Sequence, residues 1–386
     1  MIAFMGCLGG KGRATLTSSI SFVRFRSMRR GLIIASTLFF GLAFALSSAD
    51  KKVEIKFGKS IEIGRADHIL GSIASVCEDN DRYFYVLDSS AFQVFKFSSE
   101  GRLIQKFGGK GQGPGDFQSP HLVVLTPQAE IAVLEDLNYI TFFDARGKFL
   151  KRLDLNGRLD LTFLGPDRFL AWVWTPEGRQ QVMVDGKNNL KATFRTQPRE
   201  SFSTSLADEN GRAVMFNFAS DVYVPKLLSG YSRGVGLAGI STDYKLTLLD
   251  GKGDISGSVQ RKVAPGKISN RERRSLEREI REFAKSRNWP ERAVRELSTK
   301  IPDLKTIIEA VRLSPRYIFV FLVPQDITQE DAAYPVDIFS HRGEYLGSTT
   351  LKQIPLFISE GAMYFVETDE TGIDYLRRTD YFPSIR

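Results

Sequence analysis

Cysteine and histidine are scarce in this chain of 386 residues, which contains two cysteines and three histidines. Cys7 lies in a segment that we expect to be removed, and a lone Cys77 cannot form an intramolecular disulfide. A disulfide framework is therefore excluded, and the fold must depend on a large apolar core. His68, His121 and His341 show no spacing typical of a metal site.

Acidic residues are absent from the first 49 positions, which contain six basic residues. The rest of the chain has 47 basic and 45 acidic residues, a net charge of +2. A charge this small does not provide the wide basic surface of a nucleic-acid-binding protein. Nucleic acid is therefore not expected as a partner.

The basic segment has the layout of a secretory signal peptide. Met28-Arg29-Arg30 precedes an apolar stretch from Gly31 to Leu46, followed by the small residues Ser47-Ser48-Ala49. The stretch is shorter than the about 20 residues of a membrane span, so no stable membrane insertion is expected after cleavage; a retained anchor is the alternative. Because few signal peptides have so long a segment before the apolar stretch, Met28 is the expected start.

One turn motif recurs along the remainder of the chain. Gly101, Gly147, Gly253 and Gly343 occupy the same place in it, and Asn188 takes that place in a fifth copy. A short hairpin loop needs a residue with positive φ there, which glycine and asparagine adopt at low cost. Apolar residues alternate with polar ones on both sides of each turn, as in strands. The first two turns are 46 residues apart, a period typical of a propeller blade.

The two ends of the chain predict the number of blades. After the fifth hairpin, residues 354–378 contain two further strands without a final hairpin, and the strand Val53 to Phe57 is spare. Pairing the spare strand into this incomplete blade would close a ring and remove its open edges. The sequence therefore predicts an all-β fold, a six-bladed β-propeller over residues 50–386.

A small α-helical insertion, residues 269–311, interrupts the repeat. Ser269 to Glu272 reads as a capping box, and Pro290 begins a second helix. Five cations recur at intervals of three and four on the first helix, where they form either a surface for an anionic partner or an ordinary solvated face. These residues are Arg271, Arg274, Arg278, Arg281 and Lys285.

The segments Tyr83 to Asp88, Val94 to Phe97 and Phe107 to Phe117, with Gly101 between them, resemble the NHL-type six-bladed β-propellers of exported bacterial proteins. The resemblance is close over residues 73–155. It implies the fold and leaves the activity open, because members bind proteins or other ligands, and a few related propellers are lyases or lactonases with a metal in the central channel.

Candidate site residues follow from their places in the repeat. Asp88, Glu135 and Glu367 each follow an apolar strand, and three carboxylates brought together could bind Ca²⁺ or act as acid and base. Alternatively, each accepts hydrogen bonds from turns of its own blade. His68 and His121 precede inner strands and are possible ligands at the channel mouth. No cofactor is predicted, although Ca²⁺ or Zn²⁺ is possible.

These features favour an exported binding module, periplasmic or extracellular, for a protein, peptide or glycan. The alternative is a metal-dependent lyase or lactonase with its site in the central channel. The sequence favours binding over catalysis because it shows no catalytic constellation.

Cleavage of the signal peptide is the first prediction. The exported protein should begin at Asp50, because the small residues that end at Ala49 match a cleavage site. Mass spectrometry of the exported protein measures its first residue. Recovery of an intact apolar segment in the membrane fraction would contradict the prediction.

Overall fold

A computed structural model describes residues 51–65, 69–135, 139–154, 159–187, 189–198, 203–207, 213–217, 223–329 and 331–385. The expected signal peptide, residues 1–49, and the expected start at Met28 lie outside the described residues. Neither of the two described helices is long and apolar enough to cross a bilayer.

The described residues form 26 strands and two helices. The strands of the first three repeats are β2 Ile73–Glu78, β3 Phe84–Asp88, β4 Gln93–Phe97, β5 Leu103–Phe107, β6 Pro120–Leu125, β7 Ile131–Glu135, β8 Tyr139–Phe143, β9 Phe149–Asp154, β10 Leu159–Gly165, β11 Arg168–Thr175, β12 Gly178–Asp185 and β13 Leu190–Pro198, preceded by β1 Glu54–Ile63. The remaining elements are β14 Ser203–Ala207, β15 Ala213–Asn217, β16 Leu227–Ser232, β17 Val235–Ile240, β18 Lys245–Leu249, β19 Ile255–Gln260, α1 Asn270–Ser286, α2 Glu291–Thr299, β20 Ile308–Leu313, β21 Tyr317–Leu322, β22 Tyr334–Ser340, β23 Tyr345–Leu351, β24 Phe357–Ile358, β25 Ala362–Thr368 and β26 Asp374–Ser384.

Six four-stranded antiparallel sheets form the blades, and β14 and β15 form a separate hairpin. Blades 1 to 3 are β2–β5, β6–β9 and β10–β13. Blades 4 and 5 are β16–β19 and β20–β23, and blade 6 has the order β24-β25-β26-β1. The first strands of neighbouring blades contact one another, so these strands line the central channel. The prediction of a six-bladed β-propeller is confirmed.

Side chains on both faces of each blade are buried against the neighbouring blades. In β3, Phe84 and Val86 pack against blade 6, whereas Tyr85 and Leu87 pack against blade 2. Six such apolar clusters lie between consecutive blades around the ring. A strand that is buried on both faces reads as a continuous apolar run, which explains why the second strand of each early blade shows little alternation.

The recurrent turns join the third and fourth strands of their blades. Gly101, Gly147, Gly253 and Gly343 have φ values of 85°, 70°, 87° and 83°. The positive φ that the sequence predicted at this position is therefore confirmed. Asn188, the fifth copy, lies outside the described residues.

The N-terminal strand closes the ring. β1 pairs antiparallel with β26, with Glu54 opposite Ser384 and Ile63 opposite Leu376. The predicted pairing of the spare strand with the incomplete blade is confirmed. A hydrogen bond of 2.5 Å from the hydroxyl of Tyr364 in blade 6 to Glu78 in blade 1 joins these two blades.

The insertion forms a small helical cap with its own core. Ser269 and Glu272 form the predicted capping box at the start of α1. The cap core combines the two helices with the β14–β15 hairpin and with Tyr223. Leu276, Ile280 and Leu297 are buried in it. The inserted segment ends earlier than the predicted residue 311, because β20 of blade 5 begins at Ile308.

A buried ion pair ties the cap to the propeller. The ammonium of Lys305, which precedes β20, donates to Glu272 Oε1 at 2.8 Å and to the carbonyl oxygens of Pro324 and Gln325 at 3.1 and 2.5 Å. The side chains of Lys305 and Glu272 are only 2 % and 0 % exposed. All three protons of the ammonium are therefore used, which is the condition under which a buried ion pair is tolerated.

Removal of β1 tests ring closure. The mature protein without residues 50–63 should unfold at a temperature lower by about 10 °C or more, because β26 becomes an open edge and several kcal/mol of packing are lost. Circular dichroism melting measures the change, with Phe57→Ser as the control, since Phe57 on β1 is 49 % exposed. An unchanged melting temperature after the deletion would contradict closure through β1.

Lys305→Met tests the buried ion pair. The free energy of unfolding should fall by about 3–5 kcal/mol, because the substitution leaves the carboxylate of Glu272 buried without its counter-charge. Urea unfolding followed by circular dichroism measures this change. Lys285→Met on the exposed face of α1 is the control, and its effect should stay within about 0.5 kcal/mol. Equal stability of the two variants would show that the ion pair does not support the cap.

Candidate functional site

The connections between blades place the cap at one end of the channel. In an antiparallel four-stranded blade, the first strand begins, the second ends, the third begins and the fourth ends on the same side. The segments that form the cap join blade 3 to blade 4 and blade 4 to blade 5, and both therefore lie at this end. We call it the channel mouth.

A β-bulge lies at the start of each of three inner strands and changes the direction of one side chain in each. The pairing register shifts at Ala74 in β2, at His121 in β6 and at Glu309 in β20. A bulge turns a side chain that would otherwise follow the pleat of the strand. All three residues line cavities at the channel mouth.

The larger cavity has a volume of about 500 Å³ and is shared by four blades. Blades 4 and 5 provide Lys226, Ser229, Glu309 and Arg312, and Trp172 of blade 3 forms another part of its wall. Blade 6 and the segment that leads into it contribute a further part. These residues are Gln353, Ile354 and Leu356, with Val366 of β25.

Three charged groups give this cavity one uncompensated positive charge. Lys226 Nζ lies 2.5 Å from Glu309 Oε1, and the two charges neutralise each other. Arg312 donates through Nε to the carbonyl of Pro355 at 2.8 Å and through Nη1 to the carbonyl of Val311 at 2.9 Å. Burial lowers the pKa of the Arg312 guanidinium, and the negative charge of Glu309 opposes this effect.

Several polar atoms of the cavity wall have no protein partner. Glu309 Oε2 and Trp172 Nε1 are buried and form no hydrogen bond with any described residue. Arg312 Nη2 likewise has no acceptor among the described residues. A buried polar atom without a partner is costly, which applies to Glu309 Oε2 and Trp172 Nε1, so a ligand that supplies the missing partners would stabilise this wall.

A smaller cavity of about 310 Å³ lies at the same end between blades 1 and 2. His121 lines it together with Gln118, Ser119 and Ser89. The structure therefore places His121 at the channel mouth, as the sequence predicted. His68 lies outside the described residues.

The three candidate carboxylates serve their own blades and do not come together. Asp88 accepts hydrogen bonds from the backbone of Gly71 and Ser72, and Glu135 accepts one from Gln118 at 2.7 Å. Each of these bonds fixes the segment that enters the inner strand. Glu367 accepts from the side chains of its neighbours on β26. Across the described residues, no group of three or more acidic, histidine or cysteine side chains could hold a metal ion.

The cationic stripe of α1 faces outward. Its five members, Arg271, Arg274, Arg278, Arg281 and Lys285, are all exposed, whereas Leu276 and Ile280 on the other face are buried. Arg271 reaches the carbonyl of Thr328 at 3.4 Å. This exposure fits both alternatives from the sequence, and binding of an anionic partner stays a prediction.

Comparison with known proteins agrees with this architecture. The family DUF5128, described as a 6-bladed beta-propeller, matches residues 65–217. The protein is a six-bladed β-propeller. No curated protein matches this propeller significantly.

Two solved structures share the fold. One is a protein of Bacteroides fragilis described as a candidate exported protein, with 12 % identity and a TM-score of 0.54 over 88 % of this chain and 96 % of that one. The other is a DUF4221 family member of Bacteroides vulgatus, with 11 % identity and a TM-score of 0.51 over 87 % and 99 % of the two chains. Identities this low show the fold alone.

The residues of the larger cavity were not predicted from the sequence. Glu309 and Arg312 were detectable in principle, because they are two charges within the otherwise apolar run Ile307 to Leu313. Their partner Lys226 comes from another blade, and no spacing along the chain relates it to them.

Asp88→Asn tests the structural role of this carboxylate. Burial alone would raise the pKa of Asp88, but hydrogen bonds from Gly71, Ala91, Ser90 and Ser72 outweigh it and lower the pKa below 3.8. The charged form therefore stabilises the fold, by about 1–3 kcal/mol relative to asparagine. This difference should be complete well above pH 3.8 and should shrink as the pH falls through the lowered pKa. Urea unfolding of both proteins at several pH values measures it, and a difference independent of pH would contradict this role.

Proposed function

We propose that this protein is an exported binding module that takes a peptide or glycan ligand into the larger cavity at the channel mouth. The cavity of about 500 Å³ carries this proposal, because its wall contains charged and polar atoms that lack protein partners. Ligand sites of this kind typically have volumes of about 300–1,000 Å³ and a few convergent polar groups. The volume suits two or three sugar or amino-acid units, the end of a longer chain.

The position of the cap is a second argument for binding at the channel mouth. The chain runs directly from the cap core at Tyr223 to Lys226 in the cavity wall, and from the buried Lys305 to Glu309. Ser241 connects the two segments, since its backbone carbonyl accepts from Ile308 and its hydroxyl from the backbone of Lys226. A ligand that contacts this wall is therefore held by side chains on a rigid frame.

Export is part of the proposal. It is supported by the signal-peptide layout of residues 1–49 and by the fold shared with a candidate exported protein of Bacteroides fragilis. The lyase or lactonase alternative has no specific support in the described residues.

Ser229→Phe tests the location of binding, because it fills the cavity without altering its charge. Panels of short peptides and of oligosaccharides are screened for an increase in the melting temperature of the wild-type protein, and each hit is titrated by calorimetry. We expect Ser229→Phe to weaken binding by about tenfold or more. The control is Arg316→Gln, which lies after β20 at the opposite end of the channel. Unchanged affinity of a folded Ser229→Phe variant would contradict binding in this cavity.

A further inference from the structure

The chemistry of the cavity wall restricts the ligand further. Three atoms have no partner in the described part of the chain, and they define what a ligand must offer. Trp172 Nε1 and Arg312 Nη2 need acceptors, and Glu309 Oε2 needs a donor. Glu309 Oε2 and Trp172 Nε1 are already shielded from water, and a purely apolar ligand would leave all three atoms unsatisfied.

The net charge of the cavity indicates which ligand group would accept hydrogen bonds from Arg312. Because Lys226 and Glu309 neutralise each other, the cavity has one positive charge in excess, on Arg312. One singly charged anion, such as a carboxylate or a sulfate ester, would compensate it. A doubly charged phosphate would leave excess negative charge in a partly buried site. The guanidinium also suits oxyanions geometrically, since it donates through several N–H groups in one plane.

The same charges select the donor for Glu309. Its carboxylate already has the ammonium of Lys226 as counter-ion at 2.5 Å, so Oε2 requires a hydrogen bond and no second cation. A ligand ammonium at this place would be repelled by both Lys226 and Arg312. A neutral hydroxyl meets the requirement without this repulsion.

A hydroxyl is both a donor and an acceptor, so neighbouring hydroxyls of one ligand could serve Glu309 Oε2 and Trp172 Nε1. The indole also gives the wall an apolar surface for the C–H groups of a sugar ring. Peptides offer amides and charged termini rather than adjacent hydroxyls. The saccharide is therefore favoured over the peptide.

We infer that the larger cavity binds an acidic saccharide, with its singly charged carboxylate or sulfate on Arg312 and its hydroxyls on Glu309 and Trp172. This inference rests on the proposed binding function and narrows its ligand class. It assigns Arg312 as the residue that distinguishes acidic from neutral sugars.

Calorimetry with matched disaccharides tests the inference on the mature protein. The probes are the singly charged disaccharide galacturonosyl-galactose, its methyl ester and neutral galactobiose of the same linkage, with galactobiose 6-sulfate to distinguish a sulfate from a carboxylate. We expect the preferred acid to bind about tenfold or more tightly than galactobiose, because a hydrogen bond to a charged partner is among the stronger ones. The methyl ester should bind like galactobiose.

Arg312→Gln should remove this preference, whereas Arg316→Gln should keep it. Arg316 is a matched control because it is an exposed arginine at the other end of the channel, paired with Glu360. If Arg312→Gln does not fold, Arg312→Lys keeps the charge but loses the planar fork, and it should reduce the preference. The comparison of acid and methyl ester on the wild-type protein is decisive without any variant.

Three results would overturn the inference. Equal affinity for acidic and neutral disaccharides would show that Arg312 does not select charge, with the proposed function intact. Binding of peptides in the cavity without binding of any saccharide would assign the other ligand class. If no peptide or saccharide binds, the proposed function fails as well.

Discussion

Every blade of this protein has two apolar faces, and only its neighbours can cover them. The alternation in β3 shows the constraint, because Phe84 and Val86 need blade 6 while Tyr85 and Leu87 need blade 2. An open row of blades would expose one face at each end and an unpaired strand edge. The ring must therefore close, and the pairing of β1 with β26 joins the two ends of the propeller chain.

Because the blades must pack against each other to close the ring, inserted segments occur in the connections between blades. Both insertions, the β14–β15 hairpin and the two helices, occupy connections that enter the inner strands of blades 4 and 5. They form one core at the channel mouth instead of two separate loops. The buried pair of Lys305 and Glu272 fixes this cap to the segment that leads into β20. The cap and the cavity are thus built on the same two strands.

The fold was predictable because the sequence patterns that indicate it are local. The candidate site was not predictable, since its residues are far apart in the sequence. Gly101 and its equivalents indicate hairpins, because the turn needs a residue with positive φ at this position. The capping box at Ser269 is equally local. By contrast, Asp88 and Glu135 occupy equivalent places in their blades, yet each one binds its own turn. Repetition along the chain therefore indicated structure here and did not indicate a shared site.

Two charged residues of the cavity lie in an inner strand whose other side chains are mostly apolar and buried between blades. Ile308, Val311 and Leu313 are buried, as a strand between two blades requires, whereas Glu309 and Arg312 introduce charge into the same six-residue strand. The bulge at Glu309 moves this side chain out of the regular pleat, and Lys226 and the carbonyl of Pro355 compensate part of the cost. Glu309 Oε2 and Arg312 Nη2 stay uncompensated among the described residues. A strand that served packing alone would be more stable with apolar residues at both positions, so these charges support the proposed ligand site.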